Sequence, residues 1–550
     1  MGSIFGRQVV WLAVALGLIA APAWAQGTLY KYTRIADTVK DAGLAGVSCV
    51  GLNNQGTVIV VFVPAGSPSN QLWRGSGGAF TAIASSLGGI CASINALGHT
   101  AYLVPVPGTG HATLVKNANG TLTTLAEHDT PPELFASTVY LPSLNDGGSA
   151  VYTGGATTGS GIYIGPSGAS VYNSLVDPPL DFFVSPASMN NSHVAVYGAS
   201  RDGVQGVYRE SAMPVIRSGD AVSGGIMVMS GLQRPVISDT GTVGFTGRLD
   251  ESGPGSGVFG VYTTTDGASV TRVGTSPVDR ISINNSGAVV YRRTLSGGAG
   301  SGIYIGRPGA LDQPVIEQGA TIDGSTLANA FIWEESLNDK GQVAFWANLA
   351  DGRWGIYRAD PVMLKSVSFT QKIPGCGPIN GKVTLTAAAP AGGVTVSLES
   401  SNAAASVPST VTVAAGKQAA TFPITPTAVL SNSVGAVTAT LGPQTLTRAL
   451  TVRPITVAAL ALAPNPVVGG NAVTGTVTLD CGAAPANISV ALSSTKPTLA
   501  HPNVSSLLFP VGTKTLTFSI ATSSVTAATT ATIKASSAGT TKSKKLTINP

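Results

Sequence analysis

The sequence is poor in charged residues, cysteine and histidine. Among 550 residues, 31 are Lys or Arg and 26 are Asp or Glu, so that 10% are charged, compared with roughly 25% in a typical soluble protein. The chain has only four Cys and five His residues, which is too few for a dense disulfide framework or a protein built around metal clusters. We therefore expect no metal site and no cofactor.

Glycine and proline are abundant, but not to the degree that indicates disorder. The chain has 68 Gly and 34 Pro residues, below the roughly one-quarter share that marks structureless low-complexity sequences. Hydrophobic residues make up 43% of the chain, which is enough for several cores. A chain of this length is expected to form about two to four domains. Short alternating apolar runs dominate, which predicts an all-β protein.

The N-terminus has the three parts of a secretory signal peptide. Arg7 precedes an apolar run over residues 9–22, and Ala23-Trp24-Ala25 has the small-residue pattern of a cleavage site. We therefore predict a signal peptide over residues 1–25 and a mature chain that begins at Gln26. No later run approaches the about 18 apolar residues of a transmembrane helix. The predicted location is extracellular, secreted or at the cell surface, with the periplasm as the alternative.

A short motif recurs seven times at intervals of about 45 residues. It consists of an apolar residue, Asn, two variable residues and Gly, and an apolar strand follows it. Asn opens such a turn with a side-chain hydrogen bond to its own backbone, and Gly accepts the positive φ at the exit. The first turn residues of the seven motifs are Asn53, Asn95, Asn145, Asn190, Ser238, Asn284 and Asn338.

Each repeat is expected to contain four short strands. One strand precedes the turn, one follows it, a third carries a segment such as Gly302-Ile303-Tyr304, and the fourth is apolar, as in Pro314-Val315-Ile316. About 45 residues and four strands are the dimensions of a propeller blade. The last repeat lacks a fourth strand, and the segment Thr33–Asp37 ahead of the first repeat can supply it. The sequence thus predicts a seven-bladed β-propeller whose N-terminal strand closes the ring.

The repeat resembles the unit N-x-x-G-x-x-x-x-x-A-R-x-x-T of a family of secreted bacterial tandem-repeat proteins with assorted C-terminal anchors, the choice-of-anchor type. The Asn-x-x-Gly half is well kept, and the nearest matches to the Ala-Arg half are Gly247-Arg248 and Ala347-Asn348. The resemblance covers residues 30 to 360. It implies an exported, propeller-like protein and no particular chemistry.

Two copies of a segment of about 95 residues follow Asp360. Gly381–Leu385 matches Gly475–Leu479, and Leu450–Pro454 matches Leu546–Pro550. Alternating β-branched strands at this spacing predict antiparallel Ig-like sandwiches. They resemble the tandem Ig-like modules of bacterial surface proteins, which serve as stalks. The predicted domains are a signal peptide (1–25), a seven-bladed propeller (26–360) and two Ig-like sandwiches (361–455 and 456–550).

Charge is divided unequally between these regions. Residues 361–550 hold 12 basic and two acidic residues, whereas residues 26–360 hold 18 basic and 24 acidic residues. A basic groove interleaved with aromatic residues is not evident, so nucleic-acid binding is not expected. The expected partner is a surface glycan or a protein, and we expect a monomer.

The candidate ligand-binding residues are acidic and lie in the predicted propeller loops. By analogy of fold, the ligand face of a propeller is built from the loops that enter each first strand and join the second strand to the third. Carboxylates there can hold a cation, a basic partner or the paired acids of sugar hydrolysis, although solvated loop positions are the simpler interpretation. The candidates are Glu127, His128, Asp129, Asp177, Asp181, Asp220, Asp250 and Glu251. Known nucleophile, zinc and calcium motifs are absent, so no catalytic residue is predicted.

The four cysteines form two different pairs of positions. Cys49 and Cys91 each lie three residues before the apolar residue of a turn, Leu52 and Ile94, and therefore occupy equivalent positions in adjacent repeats. A disulfide between them is plausible in an exported protein. Cys376 and Cys481 occupy different positions in their two modules, and their disulfide state stays open.

Two functions remain open at this level. The first is an exported, non-catalytic binding or scaffold protein with a propeller head followed by an Ig-like stalk. The second is a secreted carbohydrate-active hydrolase or lyase that uses acidic residues of the propeller loops. Two carboxylates beside a Tyr, Arg or His in the central channel would favour the enzyme.

Overall fold

The chain forms two compact units in the computed structural model. One unit is Thr28–Val362, and the other contains Met363–Pro550. The residues that the structure describes are 30–38, 44–108, 112–126, 142–156, 159–166, 169–173, 180, 182–183, 187–210, 212–223, 226–250, 257–275, 277–294, 300–390, 392–442, 444–484 and 486–550. The predicted signal peptide lies outside them.

Every long regular element in the described residues is a β-strand. The strands of the first unit are β1 (Tyr30–Asp37), β2 (Leu44–Leu52), β3 (Val58–Pro64), β4 (Asn70–Gly75), β5 (Thr81–Leu87), β6 (Ser93–Ile94), β7 (Thr100–Pro105), β8 (Ala112–Ala118), β9 (Thr121–Ala126), β10 (Ser143–Leu144), β11 (Ala150–Ala156), β12 (Gly159–Gly165), β13 (Ala169–Asn173), β14 (Phe182–Phe183), β15 (Ser188–Met189), β16 (Ala195–Arg201), β17 (Val204–Arg209), β18 (Met213–Arg217), β19 (Ala221–Val222), β20 (Ile226–Ile237), β21 (Val243–Asp250), β22 (Val258–Thr264), β23 (Val270–Thr275), β24 (Pro277–Ile283), β25 (Val289–Thr294), β26 (Ser301–Arg307), β27 (Ala310–Glu317), β28 (Thr321–Ile322), β29 (Ser325–Phe331), β30 (Val343–Leu349) and β31 (Trp354–Pro361).

These strands form seven antiparallel sheets that follow one another along the chain. Sheets 1, 2, 3 and 6 contain β2–β5, β6–β9, β10–β13 and β24–β27, sheet 4 contains β14–β18, and sheet 5 contains β19–β23. Sheet 7 has the order β1-β31-β30-β29-β28, so the N-terminal strand is one of its edges. Thr33 lies opposite Arg358 in this pairing, which confirms that the segment Thr33–Asp37 pairs with the last repeat.

The Asn-x-x-Gly segments are tight turns between successive strands. In the first of them, Asn53 Oδ1 accepts hydrogen bonds from the N–H groups of Gln55 (3.1 Å) and Thr57 (2.9 Å). Gly56 has a φ of 90°, which glycine adopts without steric cost. In the fourth turn His193 takes this place with a φ of 64°, a conformation that costs a residue with a side chain about 1 kcal/mol.

The recurring Gly-x-Tyr segments are explained by the packing of the Tyr ring over the Gly two residues earlier. In β26, Tyr304 is 2% exposed and stacks on Tyr291 of β25, with the ring centroids 6.3 Å apart. A Cβ atom at Gly302 would lie 3.0 Å from the Tyr304 ring. The same restriction applies at Gly206, Gly260 and Gly355. The motif therefore reflects packing within each sheet.

The sheets of the first unit bury both faces. Val343 and Phe345 of β30 share an apolar core with Ile303 of sheet 6, whereas Ala344 of the same strand shares one with Val60 of sheet 1. Successive side chains of a strand point to opposite faces. Burial on both faces therefore accounts for the nearly continuous apolar runs of the second strands.

The second unit contains two β-sandwiches. Its strands are β32 (Leu364–Ser368), β33 (Lys372–Pro374), β34 (Ile379–Leu385), β35 (Val394–Ser400), β36 (Ala405–Ser406), β37 (Thr410–Val413), β38 (Ala419–Pro426), β39 (Ser433–Leu441), β40 (Gln444–Arg453), β41 (Val457–Ala463), β42 (Val467–Val468), β43 (Val473–Leu479), β44 (Ile488–Ser494), β45 (Ala500–Pro502), β46 (Ser506–Phe509), β47 (Thr515–Thr522), β48 (Thr529–Ser537) and β49 (Thr540–Asn549).

The two sandwiches have the same topology. The sheets of the first are β32-β34-β38-β36 and β33-β40-β39-β35-β37, and those of the second are β41-β43-β47-β45 and β42-β49-β48-β44-β46. In the second, Val477 and Phe518 of one sheet share a core with Ile533 and Ile548 of the other. The prediction of an all-β chain with C-terminal sandwiches is confirmed for the described residues.

A disulfide joins the two sandwiches. Cys376 and Cys481 form it, with their Cα atoms 6.3 Å apart, which answers the question that the sequence left open. Asp480 directly precedes Cys481, and its Oδ2 accepts hydrogen bonds from Arg453 Nη1 (2.6 Å) and from the N–H of Thr456 (3.0 Å). Partial burial opposes their effect, but these hydrogen bonds lower the pKa of Asp480. An ion pair therefore accompanies the disulfide at this junction.

Candidate functional site

The seven Asn-x-x-Gly turns surround one depression. Residues of all seven turns line it, and its volume is about 150 Å³. In several sheets the side-chain amide of the first turn residue donates to the main-chain carbonyl of the first turn residue in the next sheet. These hydrogen bonds are Asn95 to Asn145 (3.1 Å), Asn190 to Ser238 (3.3 Å), Asn284 to Asn338 (3.1 Å) and Asn338 to Asn53 (2.9 Å). The last bond places sheet 7 beside sheet 1.

The second turn residues form a series of alternating amides and carboxylates. In chain order they are Asn54, Ala96, Asp146, Asn191, Asp239, Asn285 and Asp339. From Ala96 onward, the main-chain N–H of each donates to the side-chain Oδ1 of the next, and Asp339 donates to Asn54, at 2.7 to 2.9 Å. Asn285 Nδ2 also donates to both Asp239 and Asp339 at 3.0 Å. These carboxylates hold the turns together.

Ala96 interrupts this series. In the other sheets, the side-chain oxygen of the second turn residue accepts an N–H of the preceding sheet. Ala96 has no side-chain oxygen, so it cannot accept the N–H of Asn54 in this way. Seven is an odd number, so a closed series that alternates amide and carboxylate must once place two like residues side by side. Ala96 stands between Asn54 and Asp146, where that mismatch would fall.

A second set of hydrogen bonds lies two residues before the first turn residues. Here the Oγ atoms of serines accept main-chain N–H groups from the following sheet. The bonds are Leu144 to Ser93 (2.9 Å), Met189 to Ser143 (3.3 Å), Ile237 to Ser188 (3.3 Å) and Leu337 to Ser282 (3.1 Å). The equivalent residue of sheet 1 is Gly51, which has no side chain.

Glu335 supplies the acceptor that Gly51 lacks. Its Oε2 accepts the N–H of Ile94 at 3.2 Å, and its Oε1 accepts a hydrogen bond from Ser93 Oγ at 2.5 Å. Its main-chain carbonyl accepts the N–H of Leu52 at 2.8 Å. Glu335 thus links sheet 7 to sheets 1 and 2. Burial raises the pKa of Glu335 to about 7, although the hydrogen bonds from Ser93 and Ile94 act in the opposite direction.

A central cavity of about 40 Å³ lies among the first strands of the sheets. Its described lining residues are Cys49, Val50, Ala92, Pro142, Ser143, Ala187, Ser188, Arg234, Pro235, Trp333, Glu334 and Glu335. The charged groups among them are one guanidinium and two carboxyls. A cavity of this size admits a carboxyl-sized group, whereas typical ligand pockets measure about 300 Å³ or more.

One position of the repeat supplies most of the charged and cysteine side chains around this cavity. Four residues before the first turn residue, sheets 1, 2, 5, 6 and 7 carry Cys49, Cys91, Arg234, Arg280 and Glu334. Cys49 and Cys91 form a disulfide, with their Cα atoms 5.1 Å apart. Arg280 Nη1 donates to both carboxylate oxygens of Glu334, at 2.6 and 2.7 Å. Its guanidinium also lies 5.9 Å from the centroid of the Trp333 ring.

Arg234 differs from Arg280 in having no partner. Within the described part of the chain, no side chain forms a hydrogen bond or an ion pair with its guanidinium. The backbone at Arg234 has a φ of 53°, in the left-handed region that costs a residue with a side chain about 1 kcal/mol. The pairing of β20 with β21 is irregular here, between Gln233 and Val236. In the wall of the cavity, Arg234 therefore combines a strained backbone with a partly exposed side chain that no described residue pairs.

The structure places few of the residues that the sequence singled out. Glu127, His128, Asp129, Asp177, Asp181 and Glu251 lie outside the described residues. Asp220 accepts a hydrogen bond from the N–H of Arg217 at 2.7 Å, a contact within one turn. Asp250 ends β21 opposite Met227. Neither belongs to the described lining of the central cavity, and a ligand role for the eight residues stays a prediction.

Apart from Cys49, the sequence interpretation missed the residues that line the cavity and the Arg280 that pairs with one of them. The register that gave Cys49 and Cys91 equivalent positions also gives Arg234, Arg280 and Glu334 that position, so these three could have been found. The role of Glu335 could not, because it depends on hydrogen bonds to Ser93 and Ile94, which are distant in the sequence.

The described residues contain no group of three or more His, Cys, Asp or Glu side chains that could hold a metal ion. Among the same residues, no helix has the length and apolar character needed to cross a membrane.

Comparisons with known proteins do not assign the chain to a family. No family model matches it, and no curated protein matches its sequence. Similar solved structures include the D0-D1 domain of intimin (15% identity, 34% of this chain and 99% of that one, TM-score 0.16) and the Yersinia pseudotuberculosis adhesin InvE (15%, 34% and 59%, 0.17). Another is the extracellular domain of a B. thetaiotaomicron one-component system (8%, 74% and 69%, 0.22). We draw no argument from likenesses with such low TM-scores.

Proposed function

We propose that the chain is an exported, non-catalytic binding or scaffold protein, with a seven-bladed β-propeller head followed by a stalk of two Ig-like sandwiches. Three observations support the propeller. The first unit has seven successive antiparallel sheets, β1 completes the last of them, and all seven turns line one depression. In this proposal the head is the predicted domain 26–360, and the stalk comprises 361–455 and 456–550.

The proposal includes export and the resemblance to secreted bacterial tandem-repeat proteins. Its support is the signal-like N-terminus and the disulfides in both units, since disulfides persist in oxidising compartments. We place the protein outside the cell, secreted or at the surface, with the periplasm as the alternative. It acts as a monomer on a surface glycan or a protein, and it does not bind nucleic acid.

The non-catalytic part of the proposal rests on the two cavity carboxyls, because both already accept hydrogen bonds from the protein. Glu334 is held by Arg280, and both oxygens of Glu335 accept hydrogen bonds that join sheets. A hydrolase needs one carboxyl free to donate a proton and a second free to attack or to activate water. The cavity of about 40 Å³ is also small compared with the typical ligand pockets of proteins.

An array experiment tests this proposal. The purified chain is applied to glycan and protein arrays, and captured polysaccharides are then analysed for cleavage products. We expect binding without product. Turnover of any polysaccharide would refute the non-catalytic function, and failure to bind either array would refute the binding function.

A secreted carbohydrate-active hydrolase or lyase is the second candidate, and one observation favours it. Two carboxyls, Glu334 and Glu335, lie in the cavity beside Arg280, and the two differ in environment. Glu335 has its pKa raised to about 7, as a general acid requires, whereas Glu334 is paired with the Arg280 guanidinium at 2.6 Å. If cleavage is detected, Glu335→Gln should abolish it and leave binding intact.

A further inference from the structure

Arg234 is a cationic residue of the central cavity that has no partner among the described residues. Its neighbour Arg280, from the equivalent position of the next sheet, is neutralised by Glu334 at 2.6 Å. Within the described residues the Arg234 guanidinium meets no carboxylate, although it is half-buried in the cavity wall. A guanidinium offers five N–H donors in a planar fork that matches a carboxylate. The cavity therefore presents donors that no group of the described chain satisfies.

The backbone strengthens this inference. A residue with a side chain is seldom found at a φ of 53°, and Gly or Asn would occupy the position with less strain. Within the described residues, the charged end of Arg234 forms none of the hydrogen bonds that hold neighbouring sheets together. Strained positions of this kind cluster at functional sites.

The size of the cavity limits what can reach Arg234. A space of about 40 Å³ is small compared with typical ligand pockets, so a carboxylate group is the part of a ligand that we expect to enter it. The rest of the ligand would then stay outside. Trp333 belongs to the wall of the cavity and is partly exposed, with the Arg280 guanidinium 5.9 Å from its ring centroid. Aromatic faces pack against the apolar face of a sugar ring. This favours an acidic saccharide over an acidic peptide.

We propose that the central cavity binds the carboxylate of an acidic saccharide through Arg234, with Trp333 packing against the sugar ring. This inference rests on the proposed binding function and names its ligand class. Among the described residues, the charged groups at the cavity are Arg234, Glu335 and Glu334 with its partner Arg280. Ionisation of Glu335 would repel the ligand, so binding weakens as the pH rises through the pKa of that residue.

Short oligogalacturonate is the probe, and its methyl ester and an oligo-aspartate peptide are the matched ligands. Affinity is measured by calorimetry on the whole chain, for the natural protein, Arg234→Asn and the control Arg248→Gln. Arg248 is an exposed Arg on β21 of the same sheet, outside the described lining of the cavity. We expect oligogalacturonate to bind, its methyl ester and the peptide to bind poorly, and Arg234→Asn to weaken binding by about 10- to 100-fold, as the loss of a charge-assisted pair does.

Folding is followed in the same variants by Trp fluorescence during thermal unfolding. Arg234→Asn should unfold at the natural temperature or above it, because Asn tolerates the left-handed backbone better than Arg. Loss of binding with unchanged stability cannot arise from a purely structural role. A lowered unfolding temperature would show that Arg234 supports the fold and would overturn the proposal.

The remaining outcomes separate this inference from the proposed function. If the arrays reveal a ligand that Arg234→Asn binds as tightly as the natural chain does, the binding function stands and the role of Arg234 is wrong. Equal binding of oligogalacturonate and its methyl ester would refute carboxylate recognition, and preference for oligo-aspartate would refute the saccharide. Failure on every array refutes both proposals together.

Discussion

Glu335 makes the stability of the first unit depend on pH. Burial raises its pKa from the ordinary value of 4.5 to about 7, so the folded state binds the proton more tightly than the unfolded chain does. The stabilisation is therefore complete below a pH of about 4.5, is lost as the pH rises from there through about 7, and changes no further above that. A shift of this size corresponds to a loss of about 3 kcal/mol.

Urea unfolding at several pH values between about 5 and 8 measures this effect. Trp73, Trp333, Trp346 and Trp354 are the tryptophans beyond the predicted signal peptide, and all belong to the first unit. Fluorescence therefore reports that unit alone. Glu335→Gln carries no charge at any pH and should flatten the decline. The control Glu210→Gln, at an exposed position, should retain the natural profile.

The slope of the pH profile decides this prediction. Parallel profiles for the natural chain and Glu335→Gln would refute the reasoning, because the charge of Glu335 would then have no effect on folding. If the variant is less stable by the same amount at every pH, the hydrogen bonds to Ser93 and Ile94 dominate instead and the raised pKa is wrong.

Three further predictions concern the turns, the sheets and the disulfide. Ala96→Asn should supply the missing acceptor for the N–H of Asn54 and raise the free energy of unfolding by about 1 kcal/mol. Leu97→Asn, in the same turn, is the control and should not raise it. Equal urea midpoints for the two variants would contradict the prediction. Gly302→Ala should lower the free energy of unfolding by about 2 kcal/mol, because the new Cβ meets the Tyr304 ring. Gly46→Ala is the control, since a Cβ there has open space, and equal stability of the two variants would refute the prediction. Replacing both Cys49 and Cys91 by Ser should cost about 4 kcal/mol, and an unchanged urea midpoint would contradict this, whereas the same change at Cys376 and Cys481 should leave the fluorescence transition unchanged.

Local chemistry explains why much of the fold could be predicted. The Asn53–Gly56 turn and its equivalents need only a side-chain oxygen and a residue that tolerates positive φ, and both requirements are visible within four residues. The same holds for Gly302 and Tyr304, whose contact lies within one strand. The pairing of Thr33–Asp37 with the last strand was predicted by counting, because the final repeat was one strand short.

The central cavity was harder to predict, for two reasons. The candidate acids were chosen by analogy with propeller loops, and Asp220, for example, satisfies only its own turn. The cavity residues instead lie in or next to the first strands and in the turn after β29. No sequence pattern indicates the irregular pairing at Arg234.

The sequence by itself determined the number of repeats, the positions of their turns, the sandwich strands and the equivalence of Cys49 with Cys91. These features follow from the spacing of residues close together in the chain. Only the tertiary structure decided that Glu335 replaces the side chain missing at Gly51, through Ser93, which lies 242 residues away. It also decided that Arg280 has a carboxylate partner, whereas Arg234 has none among the residues that the structure describes. The physical reason is that hydrogen bonds and ion pairs form between groups that packing brings together, and packing depends on all seven sheets at once.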